Sequence, residues 1–275
     1  MKRWIACACT FMLMMSACTT LQSGNDTAST SKAETAVVSS DISSRTDMTK
    51  SGTATGATAA DGLTAETSGT DETLADFEVV VGKNKRIPFT AICQYPELPT
   101  GCEVTSLSMV FNHYGHPCDK CDIADYYLTK GEVGTVDFHE AFEGDPRDES
   151  SYGCYANVIV KAAEKIIAEK NYPLKVSDLT GTPLDSLLNQ IDQNRPVIVW
   201  GTQDCQEGHF SVTWNVDGKE LVWFTPEHCM VLVGYDESSV WVADPIYGKV
   251  ISYDKDTFES SYRSLFQQAV LLQPA

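Results

Sequence analysis

Two hydrophobic periodicities occupy different stretches of this chain, and their order limits the folds open to it. Between residues 102 and 193 apolar side chains recur at spacings of three and four, the period of a helix face; from 195 onward they alternate or run in short blocks, the period of strands. Val104, Leu107, Phe111 and Tyr114 mark one face of a first helix that starts at Cys102. A short helix is expected near Asp122 to Thr129, and a long amphipathic one over Ala156 to Lys170, with Val160, Ala163, Ile167 and Val158, Ile166 as its apolar rows. Thr182-Pro183 opens another that ends at Gln193, with proline at an N1-like position. A Gly- and acid-rich stretch, 131–151, separates the second helix from the third. Strands follow at 195–200, 210–215, 221–225, 229–235, 240–243 and 249–253. Val216-Asp-Gly-Lys219 is a hairpin turn, and the turns near Asp236 and Pro245 are as short. Strands joined so tightly run antiparallel. Helices first and a mostly antiparallel sheet afterwards is an α+β arrangement.

The N-terminal part follows neither period. Lys2 and Arg3 precede an apolar run, Trp4 to Met15, that is too short to span a bilayer as a helix. The run ends in Met15-Ser-Ala-Cys18, where small residues before a cysteine resemble a bacterial lipobox. Residues 1–17 therefore read as a signal peptide, and Cys18 as a lipidated anchor. From Thr19 to about Ala75 the sequence is Ser, Thr, Ala and Gly with scattered charge and no aromatic residue. Such a composition cannot bury enough apolar surface to offset the entropy of ordering, so 18–75 is expected to be a disordered tether. Residues 76–275 remain, enough for one domain with its own core. The chain carries a net charge of −18, which argues against nucleic acid or an anionic membrane as a partner of the folded surface. A monomer with an extracytoplasmic location, acting on a cationic or neutral substrate, is the expectation.

Export permits disulfides. Setting aside Cys7, Cys9 and Cys18, the cysteines are 93, 102, 118, 121, 154, 205 and 229, an odd number. At least one stays unpaired in a monomer, and the six others allow up to three bridges. Cys118-Asp-Lys-Cys121 reads as a local disulfide rather than half of a zinc site, because no second pair of ligands follows at suitable spacing; two reduced thiols are the third option. No metal or cofactor is implied.

Cys102 is the cysteine expected to stay free. In Glu97-Leu-Pro-Thr-Gly-Cys-Glu103 a Pro/Gly turn delivers it to a helix start, where the backbone dipole favours thiolate. His228, in Glu227-His-Cys-Met-Val-Leu-Val-Gly-Tyr-Asp236, begins a strand. Asp244, in Trp241-Val-Ala-Asp-Pro245, ends the next one. The intervening turn brings the start of one strand and the end of the other to the same edge. Nucleophile, base and orienting acid in that order suggest a thiol hydrolase, with a thiolate–imidazolium pair expected at neutral pH.

Gln94-Tyr-Pro-Glu-Leu-Pro-Thr-Gly-Cys-Glu-Val-Thr-Ser-Leu-Ser-Met109 with Tyr114-Gly115 resembles the C39-like cysteine peptidases of the papain-like fold. Supporting stretches are Gly144-Asp-Pro146, Tyr152-Gly-Cys-Tyr-Ala156, Arg195-Pro-Val-Ile-Val-Trp200, Glu227 to Asp236 and Ala243-Asp-Pro245. The resemblance covers most of 88–272. It implies Cys102 as nucleophile, His228 as base, Asp244 as the residue that orients the imidazole, and Gln94 as an oxyanion donor beside the Cys102 N–H. Gln94 lies eight residues before the cysteine rather than the six of papain, with Pro96 and Pro99 in the intervening loop. The transporter segments of leader-processing C39 peptidases are not found.

Other residues read as structural. Cys154, Cys205 and Cys229 suit core or disulfide positions. His209 is the rival base but lacks an acidic partner on a following strand. His113 and His116 end the first helix as dipole partners, and His139 lies in a loop. Glu140, Glu143, Asp145, Asp148 and Glu149 do not match EF-hand calcium spacing and read as a solvated loop or a lid. The tryptophans between 200 and 241 read as strand packing. The expected function is hydrolysis of a peptide or isopeptide bond by a membrane-anchored cysteine peptidase. The alternatives are cleavage or transpeptidation of peptidoglycan stem peptides, and a non-catalytic binding module on a hydrolase scaffold.

Overall fold

A computed structural model describes residues 84–275, which belong to one compact unit. The signal segment, Cys18 and the Ser/Thr-rich tether lie outside the described residues.

Strand β1 (Lys85–Arg86) leads into the loop that carries Gln94, and α1 (Cys102–His113) follows. Next come α2 (Lys120–Asp122), which runs on into a π-helical turn at Ile123–Tyr127, and a small parallel pair, β2 (Lys130–Gly131) with β3 (Phe142–Glu143). Helix α3 spans Ala156–Lys170, β4 Leu174–Asp178 and α4 Leu184–Asp192. The second half contains β5 (Val197–Thr202), β6 (His209–Val216), β7 (Lys219–Thr225), β8 (Glu227–Tyr235), β9 (Ser239–Asp244) and β10 (Lys249–Asp254). It closes with α5 (Lys255–Ser264) and β11 (Ala269–Pro274).

A seven-stranded sheet in the order β10-β9-β8-β5-β11-β4, with β1 paired to the end of β8, organises the molecule. All its pairings are antiparallel. Alternation along the strands feeds two cores. Cys229, Val231 and Val233 of β8 pack with Val104, Leu107 and Phe111 of α1 and with Ile159 and Ile166 of α3. Met230 and Leu232 face the other way, onto Leu187 and Ile191 of α4 and Phe258 and Tyr262 of α5. Leu107 and Val231 are fully buried; truncating such a leucine to alanine costs about 2–5 kcal/mol.

The expected α+β order holds, with additions the sequence pattern did not reveal. β4 is short and half polar. α5 is polar apart from Phe258 and Tyr262, but its start is fixed by Asp254, whose Oδ1 accepts the Thr257 N–H at 2.9 Å. β11 is an apolar run too short to assign by period, and it inserts between β5 and β4. β6 and β7 leave the main sheet as a separate ribbon, because Trp214 and Trp223 dock on Phe138, Tyr152 and Tyr155 instead.

Two expectations are corrected. All seven cysteines of the described residues are free thiols, so neither the Cys118–Cys121 bridge nor any other is formed. Cys118 is buried, with its carbonyl accepting from Ser108 Oγ at 2.6 Å, whereas Cys121 is half-buried on the turn that Asp119 caps. The acidic stretch is solvated only in part: Glu140, Asp148 and Glu149 are exposed, but apolar residues anchor it. Phe138, Ala141 and Phe142 are buried within it, Asp145 pairs with Lys130 at 2.6 Å and Glu140 with Lys161. Glu143 is also buried and accepts the Gly134 N–H at 2.7 Å. The segment packs on the turn before Cys102, where Thr100 donates its N–H to Pro146 O.

Candidate active site

The turn that presents Cys102 is built by close packing. Gly101 caps α1 without a side chain, and a Cβ there would lie 2.6 Å from Leu98 Cβ, so only glycine fits. Gly101 N donates to Leu98 O and Leu98 N to Gln94 O, which winds the loop from Gln94 to the helix. Cys102 is the first helical residue, as the sequence predicts, and is buried.

His228 and Asp244 meet at the rim of the sheet. Nε2 of His228 lies 3.0 Å from Oδ1 of Asp244, and both side chains are almost wholly buried. That nitrogen and Asp244 Oδ2 lack a well-directed hydrogen bond; Oδ1 also takes the Ile246 N–H at 2.8 Å, which steadies the carboxylate. The approach of Nε2 to the carboxylate leaves Nδ1 as the nitrogen free to handle another proton. The rival His209 is exposed at the start of β6. His113 stacks on Phe89, His116 on Tyr172, and His139 pairs with Asp137.

Gln94 is buried beside this pair, with its N–H donating to Pro245 O at 2.8 Å. One hydrogen of its Nε2 goes to Pro99 O at 2.7 Å. The proline-containing loop is thus closed by the side chain itself. Tyr95, exposed on the same loop, has its phenol pKa raised by burial and then by negative charge at Cys102, Cys93, Glu149 and Asp244.

The thiol itself is engaged elsewhere. Cys102 Sγ donates to Glu103 Oε2 at 3.3 Å, and one turn along α1 Ser106 Oγ donates at 3.3 Å to the carbonyl of Cys229, the residue after His228. Burial pushes the Cys102 pKa well above the ordinary thiol value, and the charges at Glu103 and Glu227 push it further. A ready-made thiolate–imidazolium pair is therefore not the arrangement found, because a carboxylate next in the chain takes the thiol hydrogen. Glu103 Oε1 accepts the Cys154 N–H at 2.7 Å. Cys102 Sγ and one oxygen from each of Glu103 and Glu227 lie within 4.8 Å of one another. Cys154 and Cys229 complete the cluster as buried core thiols. Sequence reasoning missed both glutamates, although they directly follow Cys102 and directly precede His228.

The sequence profile of the Peptidase_C39 like family matches residues 83–270. The uncharacterised protein YvpB of Bacillus subtilis (strain 168) is 30% identical over 182 residues, covering 65% of this chain and 71% of that protein. A crystal structure from Bacillus anthracis, described as a C39-like peptidase, aligns with a TM-score of 0.62 at 28% identity, over 70% of this chain and 98% of the other. With its helices followed by a mostly antiparallel sheet in the papain-like manner, the chain belongs to the Peptidase_C39 like family.

Proposed function

We propose that this protein is a cysteine peptidase that hydrolyses a peptide or isopeptide bond with Cys102, His228 and Asp244. The observation that carries this reading is the buried His228–Asp244 pair, 3.0 Å apart, on the strand that the helix begun by Cys102 packs against, Ser106 Oγ donating to the carbonyl of Cys229 at 3.3 Å. In the reaction the thiol turns from Glu103 toward the imidazole and gives up its proton to Nδ1. The sulfur adds to the substrate carbonyl carbon, and the carbonyl oxygen becomes an oxyanion. The Cys102 N–H at the start of α1 and the remaining amide hydrogen of Gln94 are the donors available to it, each worth a few kcal/mol at the transition state. The imidazolium returns its proton to the leaving amine as the C–N bond breaks, leaving a thioester on Cys102. Water, deprotonated by His228, then releases the acid and the free thiol. Asp244 holds the imidazole in the tautomer this cycle needs.

The N-terminal sequence supports a location for that activity. Residues 1–17 act as an export signal, and Cys18 is the lipid anchor that holds the domain outside the cytoplasm. Labelling cells with radioactive palmitate tests this part: label on the wild-type chain and none on Cys18→Ala supports it, and label on neither contradicts it.

Digestion of a peptide library and of purified cell wall by the full-length protein and by Cys102→Ala tests the enzymatic part. Cleavage of library peptides that is lost in the variant supports a peptidase. Release of stem peptides alone moves the substrate to the wall. Cleavage of neither leaves the binding-module reading in place.

A further inference from the structure

Two buried carboxylates face each other beside the candidate nucleophile. One oxygen of each lies within 4.8 Å of the other, and both border Gly153, where a Cβ would lie 2.6 Å from Glu103 Oε1 and 3.0 Å from Glu227 Oε2. Glu103 is fully buried, and Glu227 is half-buried with its Oε1 shielded and without a hydrogen-bond partner. None of the ion pairs among the described residues reaches either group. The titratable side chains that face them are Cys102 on α1, Cys154 and Tyr155 ahead of α3, and Cys229 on β8. Each of these adds negative charge when it ionises. Two carboxylates so placed, withdrawn from bulk solvent and faced by groups that ionise only to negative charge, cannot both be ionised at little cost. The economical state is one proton held between the two, which titrate as a unit. Burial raises the pKa of both, and the charge at Glu103 raises that of Glu227 further.

We propose that Glu103 and Glu227 share a proton and serve as positioning residues, tying the residue after the nucleophile to the residue before the imidazole and holding the Cys102 thiol protonated until it turns to His228. The pair spans α1 and β8, so it sets how far the helix start stands from the strand that carries the base. Glu103 Oε2 accepts the thiol hydrogen at 3.3 Å, which makes the resting thiol a poor nucleophile. The inference rests on Cys102 being the nucleophile, but its readouts need no substrate, so it can fail while the peptidase reading stands, and the reverse.

The test uses the full-length protein in two measurements. Infrared spectra across pH 5 to 9 should contain the carbonyl band of a protonated carboxyl group at neutral pH. That band should shift or weaken in both Glu103→Gln and Glu227→Gln, which separates it from buried Glu143, whose pKa burial also raises. Iodoacetamide labelling of Cys102, mapped by mass spectrometry, should be about tenfold faster at pH 7.5 in Glu103→Gln than in wild type, the effect of a thiol pKa lowered by one unit. Treatment with EDTA should leave the wild-type rate unchanged. A wild-type spectrum without a variant-sensitive carboxyl band at neutral pH would overturn the proposal even if a variant failed to fold. So would unchanged labelling in folded Glu103→Gln. A labelling rate that rises with EDTA would show that a cation, and not a proton, neutralises the pair.

Discussion

The two parts of the candidate site are built on opposite electrostatic principles. At His228 and Asp244, groups of complementary charge capacity meet at 3.0 Å. The carboxylate is steadied against the imidazole by the Ile246 N–H, which it accepts at 2.8 Å. At Cys102, Glu103 and Glu227, three groups that ionise to the same sign are packed together. Each ionisation there opposes the next, so protons stay on. The His228 side is thus assembled in its geometry at rest, while the Cys102 side is held in its uncharged form. In a thiol hydrolase built this way, readiness is governed by where the thiol hydrogen points, rather than by a depressed thiol pKa.

Breaking either side of the comparison should have unequal consequences. Removing the reacting groups has the largest effect: Cys102→Ala should abolish peptide hydrolysis, and His228→Ala should lower kcat/KM on the order of 10³-fold or more. Next comes Asp244→Asn, which keeps the packing and loses the control of tautomer; it should reduce kcat by roughly 10²- to 10⁴-fold with the melting temperature little changed. An Asp244→Asn enzyme with wild-type kcat would remove the acid from the account. The pH dependence of stability gives the third contrast. Glu103, pushed from an ordinary 4.5 up to about 7 by burial, binds its proton more tightly in the folded state. Its contribution is complete below pH 4.5 and lost as pH rises through about 7. The domain should therefore become less stable between pH 5 and pH 8, by on the order of a few kcal/mol, and Glu103→Gln should flatten that slope in thermal melts. The smallest effect is expected from Gly153→Ala, whose methyl group would displace the carboxyl oxygens it meets. Overpacking of this kind costs about 1–3 kcal/mol, read as a lowered unfolding midpoint in urea.

Much of this was legible in the sequence. The helix at 156–170 and the turn before Cys102 carry strong local signals, and the tight turn between β8 and β9 brings His228 to Asp244. β4, α5 and β11 were not legible, because their places are set by the sheet that receives them and not by their own period. The ribbon of β6 and β7 looked like part of the sheet since its strands alternate as sheet strands do; only the aromatic contacts of Trp214 and Trp223 reveal where it docks. Glu103 and Glu227 went unnoticed for a related reason. A glutamate beside a catalytic residue usually points to solvent, and nothing local announces that two of them meet across residues 103 and 227.

The most direct test is acyl capture. The full-length protein would be mixed with a peptidyl p-nitrophenyl ester, quenched in acid, and the acylated residue mapped by mass spectrometry. The account predicts an acyl group on Cys102 in the wild-type protein, none at that position in Cys102→Ala, and slower acylation in His228→Ala. Acylation of another thiol such as Cys93 or Cys205, or none at all, would contradict it.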